Sequence, residues 1–469
     1  MKMNRMVTAV VALAFGTQAG ALPAIPNCAA ERSNPRCIAN NDASAAGTIG
    51  SGPSFYQGGT RDELRGGFVT ADGQKLIVAI NTLSDVNDRY GAVMEVDLNT
   101  GNRRIISGYL NSTESRGKGV TTQGDRGQTE LYDLGRVSDV NPLPGGDLVA
   151  YSGGQAIRIN AGTGDRTLLW TSATSGDTRV RDGVERKFTA GGTAGAAAGR
   201  VAVPDVSVNT PLGNISLGGL LGGNRGNAQP AATAAPQPGN GYFCPQSTPA
   251  PRPAIPRSSI ATDAQGNIYL LHDNNPLGSG LALFKLDASK DYRCTAVSQF
   301  SANGENVVGG GIPWVANTTS SGPLFGDLIL AGDTVYAAGG PNPNYIVVGV
   351  NTRSGERTLV SGQRTGNGVQ VFKKGNGEAL IGESLAFSNN FLYTTEEQVN
   401  AVGFSPVRID PRTGDRTALP VAKDSPLSVG WASDTQLYAI PNSNKLLVWY
   451  RRALHLYDPA TGQNMILSR

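Results

Sequence analysis

Pro406-Val407-Arg408-Ile409-Asp410-Pro411-Arg412-Thr413-Gly414-Asp415-Arg416-Thr417-Ala418-Leu419 is the stretch from which the fold can be read. Val407 and Ile409 alternate with Arg408, as in a strand with one buried face. Asp410 can hydrogen-bond the backbone two residues on, Pro411 presets φ for a type I turn, and Gly414 closes the loop where φ is expected to be positive. The stretch therefore reads as strand, four-residue turn, strand. It recurs at Ala453 to Gly462, Val347 to Gly355, Met94 to Gly101 and Ile157 to Gly164, with a degenerate copy ending at Leu286-Asp287-Ala288-Ser289-Lys290-Asp291. Copies roughly 50 to 65 residues apart, once one long insertion is set aside, mark an array whose units cannot bury their faces alone.

A second hairpin precedes each copy. Gly67 to Ile80 turns at Asp72-Gly73, Val140 to Tyr151 at Gly145-Gly146, and Ile260 to Leu271 at Asp263 to Gly266. Leu328 to Ala338, Leu385 to Thr394 and Val429 to Ile440 turn at Gly332-Asp333, Asn389-Asn390 and Ser433-Asp434. Each unit is thus four strands, A to D, with tight A-B and C-D turns. Six units fall near residues 64–108, 136–172, 257–300, 324–362, 382–420 and 425–469. Set radially they leave only short edges, so an all-β, six-bladed β-propeller with four-stranded antiparallel blades is expected. The Asp-Pro-x-Thr-Gly hairpins at Asp410 and Asp458 resemble those of TolB-like and NHL-type propellers, which implies the fold and no particular chemistry.

Residues 1–21 read as a secretory signal peptide: Lys2 and Arg5, the apolar run Met6 to Phe15, then Ala19-Gly20-Ala21. A secreted or periplasmic protein without a membrane span follows. Residues 22–63 form an irregular arm, 64–172 carry blades 1 and 2, and 257–469 carry blades 3 to 6. Residues 173–256 are Gly-, Ala- and Pro-rich, a composition that cannot bury a core of its own, so a loosely draped insertion is expected there. Four cysteines in an exported chain suggest two disulfides. Of three possible connectivities we favour Cys28 with Cys37, which clips the arm, and Cys244 with Cys294, which ties the end of the insertion to a strand. The net charge is +3, two of it in the leader, which argues against nucleic acid as a partner; a monomer is expected.

Strand direction alternates, so the B-C and D-A connections, long and irregular, share one face, where sites are usually built. Three readings of that face follow. Asp85, Asp88 and Glu305 are hard oxygen donors of the kind calcium takes, and calcium-dependent gluconolactonases are similar in using a propeller mouth this way, although their ligand set has no residue-by-residue match here. His272 beside Asp273, with Glu383 from another blade, forms a candidate acid–base set for a hydrolase or lyase. Arg65, Arg136 and Arg257, each eleven or twelve residues before the first apolar residue of strand B, are candidates to hold an anion, with Asn274, Asn342, Asn344 and Trp314 completing a ligand site. His455, between Leu454 and Leu456 in a C strand, reads as structural. No Gly-x-Ser-x-Gly, His-Glu-x-x-His or Cys-x-x-Cys motif occurs. Non-catalytic binding of a small ligand, glycan or protein is the leading expectation, and a metal- or His-assisted enzyme the alternative.

Overall fold

The computed structural model describes residues 22–38, 49–55, 61–83, 89–111, 114–119, 134–135, 137–152, 155–171, 207–210, 213–216, 259–273, 281–300, 306–312, 324–340, 346–364, 372–377, 382, 384–395, 404–423, 425–428, 435–450 and 452–469. Six antiparallel sheets follow one another along the chain, and their first strands are Arg61–Val69, Val137–Pro142, Ile260–Thr262, Leu324–Ala331, Leu385–Ser388 and Gln436–Ala439. Each first strand touches the first strands of the sheets before and after it, and the last of them touches the first. The ring is closed, and the chain is a six-bladed β-propeller. Three blades add a fifth outer strand drawn from the D-A connection: Glu114–Arg116, Asn306–Val308 and Phe372–Lys374. In blades 2 and 6 the B-C connection spans only two residues, since Ser152 pairs Gln155 and Tyr450 pairs Ala453, so the long-loop face is shorter there than expected. Of the insertion, one hairpin is described, Ser207–Thr210 against Gly213–Ser216.

The C-D hairpins have the expected chemistry. Asp97 Oδ1 accepts from the backbone of Asn99 and Thr100 and from the Thr100 hydroxyl, and Asn160, Asn351, Asp410 and Asp458 bond their own turns in related ways. Gly101, Gly164, Gly355, Gly414 and Gly462 all have φ between +72° and +83°, where a Cβ is unfavourable.

Neighbouring blades are joined by a device built on the same hairpins. The residue that follows Thr-Gly-x or Ser-Gly-x is Arg103, Arg166, Arg357 or Arg416. Each guanidinium reaches a serine at the bulge of the preceding blade's D strand: Arg103 donates to Ser468 (2.6 Å), Arg166 to Ser107 (3.2 Å), Arg416 to Ser361 (3.2 Å), and Arg357 to Ser298. A Gly-x-Gly strap lies across each hairpin and accepts the arginine's backbone N–H, from Arg166 to Lys118 O (2.7 Å), Arg357 to Gly310 O (2.9 Å) and Arg416 to Asn376 O (2.8 Å). A Cβ on Gly119, Gly311 or Gly377 would sit 2.2, 2.0 or 2.3 Å from the arginine's carbonyl oxygen, so only glycine permits this approach.

Two junctions differ. Between blades 5 and 6 the arginine position is Asn464, which bonds Ser425 and the Leu427 N–H. Between blades 2 and 3 the serine position is Trp170 and the arginine position, by register against Leu286, is Cys294. This is the junction at which the insertion interrupts the period. Cys28 and Cys37 are paired as expected; Cys294 is buried and disulfide-bonded, and its expected partner, Cys244, lies outside the described residues.

The core lies between blades. Its largest cluster joins blade 1 (Leu76, Val78, Met94) to blade 6 (Trp449, Leu454, Met465), with Phe55 of the arm edge-on to Trp449 at 5.1 Å. The described parts of the arm are thus packed against the seam where the ring closes. Among the described residues no helix is long and apolar enough to cross a membrane.

Candidate functional site: the axial cavity

Aligning the blades by strand pairing places Gly67, Val140, Ile260, Leu328, Leu385 and Leu437 at one level of the inner strands. The residues just before them, Gly66, Asp139, Ser259, Asp327, Ser384 and Gln436, make a ring of small and polar residues at the next level of the six inner strands, and all but Ser384 line one cavity. Its members bond across blades. Asp139 Oδ2 accepts from the Ser259 hydroxyl (2.5 Å) and the Ile260 N–H (2.8 Å), Asp327 Oδ2 accepts from Leu385 N–H (3.0 Å), and Ser384 Oγ accepts from Leu437 N–H (2.9 Å). Gly66 is where the ring leaves room for an acid, because a Cβ there would lie 2.0 Å from Asp139 Oδ1.

A cavity of about 510 Å³ opens beside this ring. Asp139, Asn141, Ser259, Asp327, Gln436 and Tyr438 are among its polar lining, and its wall continues to Asn389 and Asn442 in the A-B turns, so it reaches the tight-turn face; in blade 6 that turn spans residues 440–445, where Ala439 pairs Leu446, and not Ser433-Asp434 as expected. Tyr438 donates its hydroxyl to the Arg65 carbonyl at 2.7 Å. Burial pushes the Asp139 carboxyl up to about 7, and the neighbouring charge of Asp327 pushes the same way, while hydrogen bonds from Ser259, Ile260 and Val140 hold it down. Burial raises the Tyr438 phenol too, with Asp327 and Asp139 adding to it and Arg65 opposing. A cavity that presents carboxylate, amide and hydroxyl oxygens on apolar strand walls can accept several hydrogen bonds from one small molecule.

Of the residues expected at the site, Arg65 lies in strand A of blade 1, buried, directly before the ring residue Gly66. His272 and Asp273 close strand B of blade 3 opposite Ala282 and Leu281, and their side chains lie outside the described residues. Arg136, Arg257, Asn274, Asn342, Asn344, Trp314, Glu383, Asp85, Asp88 and Glu305 also lie outside them. Among the described residues no three His, Cys, Asp or Glu side chains gather as metal ligands. His455 is buried in blade 6, with Nε2 3.3 Å from the Tyr450 carbonyl, and burial lowers its pKa to about 3, so it remains neutral.

Asp139 and Asp327 do not stand out in the sequence. A signal is present all the same: an acid breaks an otherwise apolar inner strand in Val137-Ser138-Asp139-Val140 and again in Phe325-Gly326-Asp327-Leu328. It emerges only when all six blades are set in register.

The fold and cavity define a class, a six-bladed propeller with two aspartates lining the cavity between its inner strands. No family model matches the chain, and no curated protein matches it in sequence. Among solved structures it is similar to an uncharacterized protein from Listeria monocytogenes EGD-e, with a TM-score of 0.34 and 9% identity over 89% of this chain and 96% of that one. It is similar also to an oligogalacturonate lyase in complex with manganese, with a TM-score of 0.35 and 9% identity over 86% of this chain and 89% of that one. The propeller assignment itself rests on the closed ring of sheets.

Proposed function

We propose that the protein is an exported propeller that binds a small, hydroxyl-rich ligand in its axial cavity without transforming it. The observation that carries this reading is the pairing of Asp139 and Asp327, from blades 2 and 4, on the wall of one cavity of about 510 Å³. An ionised carboxylate only accepts hydrogen bonds, and a protonated one, which the raised pKa of Asp139 favours, both donates and accepts, so a ligand carrying several hydroxyls suits the pair. Binding is placed in the cavity because its lining converges on one volume. Export is supported by the Cys28–Cys37 disulfide, a bond that persists in oxidising compartments. The reading is tested by titrating the protein calorimetrically with monosaccharides and cyclic polyols, beside Asp327→Asn. A saturable ligand whose affinity falls in the variant supports it; a panel with no binder, or a binder indifferent to Asp327→Asn, overturns it.

A second reading, a hydrolase or lyase, is favoured by one observation. A carboxyl with a pKa of about 7 beside a cavity is suited to general acid–base work near neutrality. Turnover of lactones, polysaccharides or peptides that is lost in Asp139→Asn would establish it. If His272 with Asp273 were the base instead, His272→Ala would remove the turnover and Asp139→Asn would not.

A further inference from the structure

We infer that the axial cavity is the inner end of a longer binding site for a neutral oligosaccharide, whose outer end is an aromatic groove on the tight-turn face of blades 4 and 5. This rests on the reading of the cavity as a site for a hydroxyl-rich ligand. The groove, about 500 Å³, is continuous with the cavity, because Phe387 and Asn389 line both. Its aromatic lining is Tyr336, Phe387 and Phe391, all half-buried. The Tyr336 and Phe387 rings are stacked across the blade junction, 11° from parallel with centroids 6.1 Å apart. Phe391 is held by the Arg408 guanidinium 4.7 Å from its ring centroid.

The amides of Asn389 and Asn390 stand beside these rings, in an A-B turn where both residues have positive φ (51° and 65°). The Asn389 amide bonds Asn444 at 2.7 Å, which fixes its direction. Aromatic faces carry negative charge density, and the C–H face of a pyranose carries the complementary weak positive charge, so sugar rings pack flat on such surfaces while their hydroxyls turn to amides at the rim. Charge selects a neutral chain. Among the described residues Arg412 is the one charged side chain lining the groove, and it is ion-paired with Asp410 at 3.1 Å. A proline-rich peptide also favours aromatic grooves, but it offers mostly carbonyl acceptors, and the inner end of this site displays acceptors of its own.

The test is calorimetric titration of the full chain with cellohexaose, xylohexaose, chitohexaose and maltohexaose, together with a proline-rich decapeptide, on the native protein, Tyr336→Ala, Phe391→Ala and Asp327→Asn. Tyr336→Leu is included because Tyr336 also packs against the core between blades 4 and 5, and leucine keeps that packing without the ring face. At least one hexaose is expected to bind, with affinity lowered about tenfold or more by Tyr336→Leu and Phe391→Ala. Binding that weakens in the aromatic variants and not in Asp327→Asn keeps the groove and removes the cavity reading. Binding that weakens only in Asp327→Asn keeps the cavity and overturns the groove. No hexaose bound, or the peptide bound in their place, also overturns the groove.

Discussion

Asp139 and His455 are both buried, and their pKa values are displaced in opposite senses. Asp139 is raised to about 7, so the stability it contributes is complete below its unfolded value of 3.8 and is lost as pH rises through 7. His455 is lowered to about 3, so its contribution is complete above 6.5 and is lost as pH falls toward 3. Between 3.8 and 6.5 the two slopes oppose each other, each on the order of 1.4 kcal/mol per pH unit. The native melting temperature should therefore vary little between pH 4.5 and 6. In Asp139→Asn it should climb with pH over that window, and in His455→Phe it should fall. Calorimetric scans at four pH values decide it; parallel profiles for the two variants would show that neither group titrates as its burial implies. His455 is legible as structural from its two leucine neighbours. Asp139 is not legible as special, because its burial comes from Ser259 and Gly66, residues that only the closed ring brings beside it.

At the scale of the element, the hairpin that reveals the fold also holds the blades together, and only the first role is visible in the sequence. Gly414 and Asp410 announce a turn by residue type alone, whereas the work of Arg416 depends on Ser361 of the preceding blade and on the strap Gly375-Asn376-Gly377. Glycine straps are hidden in a chain with 62 glycines. The arginines should be intolerant of shortening. Arg357→Met strands Ser298 and the carbonyls of Ile312 and Val308, and should lower stability by about 2 to 4 kcal/mol in urea unfolding. Arg353→Met, which removes an exposed ion pair with Asp333 from the same hairpin, should change it by less than about 1 kcal/mol. At the junction of blades 2 and 3, a disulfide-bonded cysteine, Cys294, stands where the arginine would be. Cys294→Ser should lower stability by about 2 to 4 kcal/mol. A reductant should then lower the melting temperature of the native protein more than that of the variant, in which only Cys28–Cys37 remains to be reduced.

For the whole molecule, the seam between blades 6 and 1 is the one that no connecting segment crosses, so the ring can open there without breaking a blade. Blade 1 is built wholly from early strands and blade 6 wholly from late ones, so no strand is exchanged to hold the seam. The arm supplies what is missing. Gly50-Ser51-Gly52 occupies on blade 1 the place that the exit strap of a preceding blade occupies elsewhere: Ser51 O accepts the Arg103 N–H (2.7 Å), and Ile49 and Pro53 carbonyls accept its guanidinium. A Cβ on Gly52 would lie 1.9 Å from the Arg103 carbonyl oxygen. Gly145, with a similar φ of +87° and nothing within 4 Å of its Cβ position, isolates the strain of positive φ alone. Gly145→Ala should then cost about 1 kcal/mol. Gly52→Ala should cost that and the clash besides, and Phe55→Ala about 3 to 5 kcal/mol because it leaves a void beside the Trp449 ring. If the arm is the latch, these two variants should open the seam before the blades unfold: near-ultraviolet circular dichroism and protease cleavage would change at a lower denaturant concentration than the far-ultraviolet strand signal. One coincident transition in both would mean that the apolar packing between blades 1 and 6 closes the ring unaided.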